Sequence, residues 1–166
     1  MKVGFTGTQK NLSPLQFDAV IALLVELEPT EAHHGDCIGA DHSFHLICDW
    51  MNNASRTGLG DKLEIPIKIV IHPPNIPDKR SNCADKCDFR GRGYDIIVLP
   101  EKPYLARNKD IVNASDVMIC CPGSSEEQVR SGTWSTWRYA KKQKNDLFTA
   151  IKYQQIYLIL PDGTVK

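Results

Sequence analysis

Ile65 to Ile71, Ile-Pro-Ile-Lys-Ile-Val-Ile, is the most β-like run in the chain and the one that most restricts its fold. Near-continuous apolar runs of this kind belong to strands buried on both faces, as in parallel sheets. Parallel strands need crossover connections, so helical segments should separate them. Strand-like segments near residues 2, 31, 65, 116 and 155 do alternate with helical patterns. The expected fold is therefore a three-layer α/β domain, a mainly parallel sheet flanked by helices. Within the 166 residues no repeat, low-complexity tract or long linker divides the chain, so one domain over 1–166 is expected.

Lys2 to Thr6 reads as the first strand, and Gly7-Thr8-Gln9-Lys10 as the polar turn after it. Ser13-Pro14 starts a helix to about Glu28, with Phe17, Val20, Ile21, Leu24 and Leu27 on its buried face. Glu31 to His34 is a short second strand that runs into Gly35-Asp36-Cys37-Ile38-Gly39-Ala40-Asp41, and a helix follows from Ala40 to about Asn53. Asp41 and His45 share one face of it, either as a carboxylate supported by an imidazole or as a favourable first-turn acid beside a packed histidine. Asn52 to Lys62 reads as a surface loop.

After Ile71, a polar insertion over about 75–95 carries Lys79, Arg80, Lys86, Arg90 and Arg92. Asp78, Asp85 and Asp88 dilute that charge, which favours a solvated loop over a lid on an anionic ligand. Asp95 to Leu99 reads as a strand or as an apolar patch of the insertion. Pro103 to Ala114 is a helix with Leu105, Ile111 and Val112 buried, Asp116 to Cys121 a strand, and Gln155 to Leu160 the last strand.

Open α/β sheets bind ligands at the carboxyl ends of their strands. The Gly-rich turns at Gly7-Thr8, Gly35 to Asp41, Pro122-Gly123 and Ser131 to Thr136 all follow strands and should form one crevice. Arg130 to Ala140, Arg-Ser-Gly-Thr-Trp-Ser-Thr-Trp-Arg-Tyr-Ala, crowds hydroxyls into the start of a helix that continues to about Lys144. Unpaired first-turn amides, the helix dipole and these hydroxyls favour an anion there; plain N-capping is the competing use. Neither a Gly-x-Gly-x-x-Gly fingerprint nor a phosphate-loop Gly-x-x-x-x-Gly-Lys-Ser/Thr motif occurs.

Lys+Arg and Asp+Glu both number 20, so no global field recruits nucleic acid or an anionic membrane. No apolar run is long enough to span a bilayer, and the chain starts on a strand-like segment, so a cytoplasmic protein with reduced cysteines is expected. Cys83 and Cys87 alone hint at a metal, and no second ligand pair accompanies them; neither metal nor cofactor is expected.

Gly-Thr after the first strand, Gly35-x-x-x-Gly39-x-Asp41-x-x-x-His45 after the second, Arg107-Asn108 before Ser115-Asp116, and Arg130 to Thr136 with Ala140 occur in an order that resembles the SLOG superfamily. That Rossmann-like group includes the DNA-processing protein A (Smf) family and the LOG "lysine decarboxylase-like" proteins. The resemblance covers about Val3 to Lys141 and implies a pocket for a nucleotide-derived small molecule. The implied binding set is Gly7, Thr8, Gln9, Gly35, Asp36, Gly39, Asp41, Arg107, Asn108, Pro122, Gly123, Ser131, Gly132, Thr133, Ser135 and Thr136. In it Arg107 and the Gly-Thr segments would hold phosphate, Gly35 and Gly39 would admit the ligand, and Asp41 would meet a ribose hydroxyl.

LOG enzymes release the base from nucleoside monophosphates with an Arg and the Glu of a Gly-Gly-x-Gly-Thr-x-x-Glu motif. Here Thr136 aligns with the motif Thr and Tyr139 with that Glu, so catalysis would need Asp41, Glu126 or Glu127 alongside Arg107. The chain therefore reads first as a nucleotide binder (sensor, sequestering protein or weak hydrolase), with a LOG-type phosphoribohydrolase as the alternative. A single-stranded DNA-binding module is the second alternative, with Trp134, Trp137, Arg138 and Tyr139 as its only aromatic and basic group. A homo-oligomer is left open.

Overall fold

The computed structural model describes residues 1–57, 66–86, 94–144 and 155–166. The elements are β1 (Lys2–Gly7), α1 (Pro14–Leu27), β2 (Glu31–His34), α2 (Ala40–Thr57), β3 (Lys68–Ile71), α3 (Cys83–Lys86), β4 (Ile96–Val98), α4 (Tyr104–Ala114), β5 (Val117–Cys121), α5 (Gly132–Lys144) and β6 (Gln155–Leu158). The six strands among the described residues form one all-parallel sheet in the order β4-β3-β2-β1-β5-β6. The sheet grows outward in both directions from the β1–β5 pair, so the crevice between their carboxyl ends is the topological switch point.

Alternation along the central strands divides the core. Val117, Ile119 and Cys121 of β5 join Val3, Phe5, Val20, Leu24, Phe44 and Ile47 on the α1/α2 side, where Phe5 and Phe44 stack at 4.3 Å. Met118 meets Ile111, Val112 and Ala140 on the α4/α5 side, and Cys120 meets Trp134 and Leu158. Burial on both faces is what the unalternating apolar runs require.

Helices α1 and α4 bury most of the residues expected inside, but each leaves one of them out and takes polar residues in. In α1 the buried residues are Gln16, Val20, Leu23 and Leu24, whereas Phe17, expected inside, is exposed. Gln16 closes a capping box with Ser13, and its Nε2 donates to the carbonyls of Pro122 (3.0 Å) and Ile159 (2.9 Å). A buried amide thus ties α1 to the ends of β5 and β6, and the true stripe begins at a polar letter. In α4 the buried residues are Arg107, Asn108, Ile111 and Val112, while Leu105, expected inside, is 57% exposed.

Asp95 to Leu99 yields a short edge strand, β4, with Ile97 and Val98 exposed. Helix α2 runs through Thr57, so the surface loop expected from Asn52 does not begin there; residues 58–62 lie outside the described residues. Asn52 is buried and clamps the backbone before β3, donating to the Ile67 carbonyl (2.9 Å) and accepting from its N–H (2.7 Å). Strand β3 starts only at Lys68, just after this clamp, and Ile65 lies outside the described residues.

The described part of the insertion is solvated over 75–78 but is tied down around Ser81 and Cys83, which are buried. Asp36 is buried and gathers it: the Asp36 carbonyl accepts from Ser81 N–H (2.7 Å), Oδ1 from Cys83 N–H (2.8 Å) and Oδ2 from Arg80 Nε (3.0 Å). Arg80 also pairs with Glu101 at 2.6 Å. Cys87, Asp88, Arg90 and Arg92 lie outside the described residues.

Candidate functional site

At the carboxyl end of β1 the chain turns through Gly7 to Lys10. Thr8 N–H donates to the Cys121 carbonyl (3.1 Å) and the Thr8 carbonyl accepts from Ala40 N–H (3.0 Å), so the turn is fixed to both β5 and α2. Gly39, at φ +89°, lies under this turn, where a Cβ would fall 2.3 Å from the Gln9 carbonyl carbon. Across the crevice, Ser131 holds the start of α5, with its carbonyl accepting from Ser135 N–H (2.9 Å). A Cβ on Gly132 would fall 2.8 Å from Tyr104 Cε1, so the glycine lets α5 close onto the start of α4.

These segments enclose a cavity of about 460 Å³. Of the predicted residues, Gly7, Thr8, Gln9, Gly123, Ser131, Gly132 and Thr133 line it. Lys10, Tyr104, Gln128 and Arg130 also line it, so that among the described residues the lining has two cations and no carboxylate. The first-turn amides of α5 at Gly132 and Thr133 add the positive end of a helix dipole. Such a lining suits an anion.

A second predicted group lies buried behind that wall. Arg107, 2% exposed, runs beneath Gly35, where a Cβ would fall 1.5 Å from its Nη1. Its Nη2 donates to Cys37 Sγ (2.8 Å) and stands 3.7 Å from Asp41 Oδ2, and the guanidinium lies 4.7 Å from the Tyr104 ring centroid. Asp41 accepts from Cys37 N–H at 3.1 Å. Burial pushes the Asp41 carboxyl upward against the pull of Arg107, and pushes the Cys37 thiol up to about 11. The space that Gly35 and Gly39 leave open is filled from within the chain, by Arg107 and by the Gln9 backbone. Neither Asp36, Asp41 nor Arg107 lines the cavity. Tyr104 lines the cavity and also lies against the Arg107 guanidinium, joining the two layers.

Asn108, Ser135 and Thr136 line a smaller cavity of about 260 Å³ between α4 and α5, with Leu105, Lys109 and Tyr139. Pro122 is buried, its carbonyl engaged by Gln16. Glu126 and Glu127 are exposed and off both linings, and Glu127 pairs with Arg138 at 2.8 Å. Trp134 is buried against Leu158 and Leu160, edge-on to Trp137 at 5.4 Å, so it offers no open face to a nucleic-acid base. Tyr104, Gln128 and Arg130 were not read as site residues. Arg130 opens the hydroxyl-rich stretch, and only its place before the α5 start could have marked it.

His34, His45 and Cys83 are buried and bring three metal-ligand atoms within 4.8 Å of one another. Asp36 N–H donates to His34 Nδ1 (3.1 Å), which places the proton of the neutral ring on Nε2, facing His45 Nδ1 at 2.9 Å. Burial, with His45 and Arg107 nearby, holds His34 neutral. Neither nitrogen of His34 is then free to ligate, and a metal would need the Asp36 peptide to turn away.

No protein-family model and no curated protein matches the chain. Among solved structures it is similar to the molybdenum cofactor binding protein from the phototrophic bacterium Rippkaea orientalis, at 17% identity and TM-score 0.54, over 96% of this chain and 76% of that one. It is also similar to DNA processing protein A (DprA) from Streptococcus pneumoniae, at 22% identity and TM-score 0.54, over 87% of this chain. That match spans 48% of DprA, about half its length. These likenesses show the fold, a Rossmann-like three-layer α/β architecture. Among the described residues no helix is long and apolar enough to cross a membrane.

Proposed function

We propose that the protein binds a nucleotide or nucleotide-derived small molecule through its phosphate in the cavity between the β1 turn and the start of α5. The observation that carries this reading is the lining: Lys10, Arg130, the hydroxyls of Thr8, Ser131 and Thr133, and the α5 amides, with no carboxylate among them. The site's position at the β1–β5 switch point supports it, as does a fold shared with a protein described as binding the molybdenum cofactor.

Binding is favoured over base release. A glycosidic hydrolase needs a carboxylate at the reacting centre, whereas Asp41 sits behind Arg107, Glu127 is engaged by Arg138, and Tyr139 donates to Asn113 at 3.2 Å. The test is calorimetric titration with nucleoside monophosphates, ADP-ribose and inorganic phosphate, with chromatography for free base. Saturable binding weakened about tenfold or more by Arg130→Ala, without base release, is the expected result. Absence of saturable binding by any phosphate-bearing probe refutes the reading, and base release moves it to an enzyme.

A further inference from the structure

Between Gly123 and the start of α5, the segment Ser124 to Arg130 has little to hold it. Residues 125–130 are all exposed, and Val129, the one apolar side chain of the segment, is 86% exposed, so packing does not fix it. Two of its hydrogen bonds are local: Ser124 Oγ donates to the Glu126 carbonyl (2.8 Å), and the Gln128 carbonyl accepts from Ser131 N–H (3.4 Å). The others come from one residue. Arg138 Nη1 donates to Glu127 Oε1 (2.8 Å), and Nη2 to the Val129 carbonyl (3.1 Å). Among the described residues no other hydrogen bond or ion pair ties 124–130 to another element.

Helical side chains lean toward the amino end of their helix. Arg138, under two turns into α5, therefore reaches back to the segment that precedes the helix, and its planar fork engages residues 127 and 129, on either side of Gln128. Gln128 and Arg130 both line the larger cavity, whereas Arg138 lines neither cavity. Arg130 makes no ion pair among the described residues, so its place at the cavity depends on the course of the backbone that carries it. The same fork occupies the Glu127 carboxylate, which is absent from the lining.

We infer that Arg138 is a positioning residue for the phosphate site: by holding Glu127 and the Val129 carbonyl it keeps Gln128 and Arg130 at the cavity without itself touching the ligand. The inference rests on the phosphate-binding reading. It places control of the site's affinity in a tether on the solvent side of α5, and an exposed tether of this kind has a modest effect.

The test is calorimetric titration of inorganic phosphate and AMP into the unmodified chain, Arg138→Met, Arg130→Ala and the double variant, with Glu127→Ala as a second cut of the tether. Arg138→Met should weaken both probes about three- to fivefold, but less than about twofold once Arg130 is alanine, because the tether acts through Arg130. A long-range charge effect of Arg138 would persist in that background. Glu127→Ala removes a negative charge beside the site, which by charge alone would tighten binding; cutting the tether should instead weaken it about twofold. The heteronuclear NOE of the Val129 and Arg130 amides, read without any ligand, should fall in Arg138→Met and in Glu127→Ala. Binding that Arg138→Met leaves unchanged, an undiminished effect in the Arg130→Ala background, tighter binding by Glu127→Ala, or an unaltered NOE overturns the inference and leaves the phosphate site standing. Absence of saturable binding of either probe by the unmodified chain overturns the phosphate reading and this inference with it.

Discussion

Replacing Gly35 by alanine tests whether the Gly-rich turn after β2 serves packing or ligand access. The new Cβ would fall 1.5 Å from Arg107 Nη1, 2.1 Å from Cζ and 2.4 Å from Nη2, so the guanidinium must leave its place. It is held there by Cys37 Sγ, by Asp41 and by the Tyr104 ring, and it is buried. Overpacking a core is unfavourable by about 1–3 kcal/mol, and pulling a buried charge off its partner by about 3–5 kcal/mol. Since the 3.7 Å separation from Asp41 is loose, about 3 kcal/mol in all is the expected loss. For a chain of this size that lowers Tm by roughly 6–12 °C. Urea unfolding of the unmodified chain, Gly35→Ala, Arg107→Met and the double variant measures it. With the guanidinium gone the alanine has room, so the double variant should be more stable than the two single losses summed, by about 1 kcal/mol or more. A Gly35→Ala loss below about 1 kcal/mol, or strict additivity in the cycle, would refute the packing account and return Gly35 to the ligand.

Acid should destabilise the protein in two stages. His33 Nδ1 meets His72 Nε2 at 2.9 Å and His33 Nε2 meets Glu31 Oε1 at 2.8 Å. Burial, then the neighbouring His33, depresses His72 from 6.5 to about 4, and His33 and His34 move in the same direction. The unfolded chain therefore takes up these protons first. Stability is whole above about pH 6.5 and drains toward pH 4, by roughly 3 kcal/mol for His72 alone. Burial raises Glu31, but Lys2, Lys68 and His33 outweigh it and bring it to about 2, so its share drains between about pH 4.5 and 2. Urea midpoints constant from pH 7 to 4 would contradict the first stage. Gln16→Ala should cost about 2–3 kcal/mol, because two carbonyls at the ends of β5 and β6 lose their donor; a loss under about 0.5 kcal/mol in urea unfolding would show water replacing it. Raising salt from 50 to 200 mM should weaken mononucleotide binding only a few-fold, and a fall of about a thousandfold or more would instead mark a strand bound across many phosphates.

The architecture was legible because burial on two faces writes itself as apolar runs, and crossovers write themselves as alternating periodicities. Strand β4 was ambiguous for the opposite reason: at the sheet edge, with Ile97 and Val98 exposed, its letters match those of an apolar loop. The faces of α1 and α4 were legible at Val20, Leu24, Ile111 and Val112 but not where Gln16, Arg107 and Asn108 occupy inward positions. A polar residue enters a core when particular partners await it, and those partners come from segments distant in sequence: Pro122 and Ile159 for Gln16, Cys37 for Arg107, Thr136 for Asn108. Periodicity cannot register them.

The same physics sorts the candidate site. Residues of the Gly-Thr and Ser-Gly-Thr segments reach the larger cavity because their chemistry is local: a turn after a strand and the start of a helix carry their own unpaired amides. Those of the Gly35 to Asp41 segment do not, since a Gly marks a close approach without saying what approaches. For Gly35 it is a guanidinium from α4, and for Gly39 the turn that follows β1. The β2 turn thereby sets the position of Arg107, Arg107 supports the Tyr104 ring from below, and Tyr104 walls the cavity. A change at Gly35 should accordingly reach the cavity by moving Tyr104, so Gly35→Ala should weaken phosphate binding even though Gly35 is not on the lining. Equal affinities for inorganic phosphate in calorimetry, with the stability loss present, would show that the two layers are mechanically separate and that Tyr104 is held by α4 and Gly132 alone.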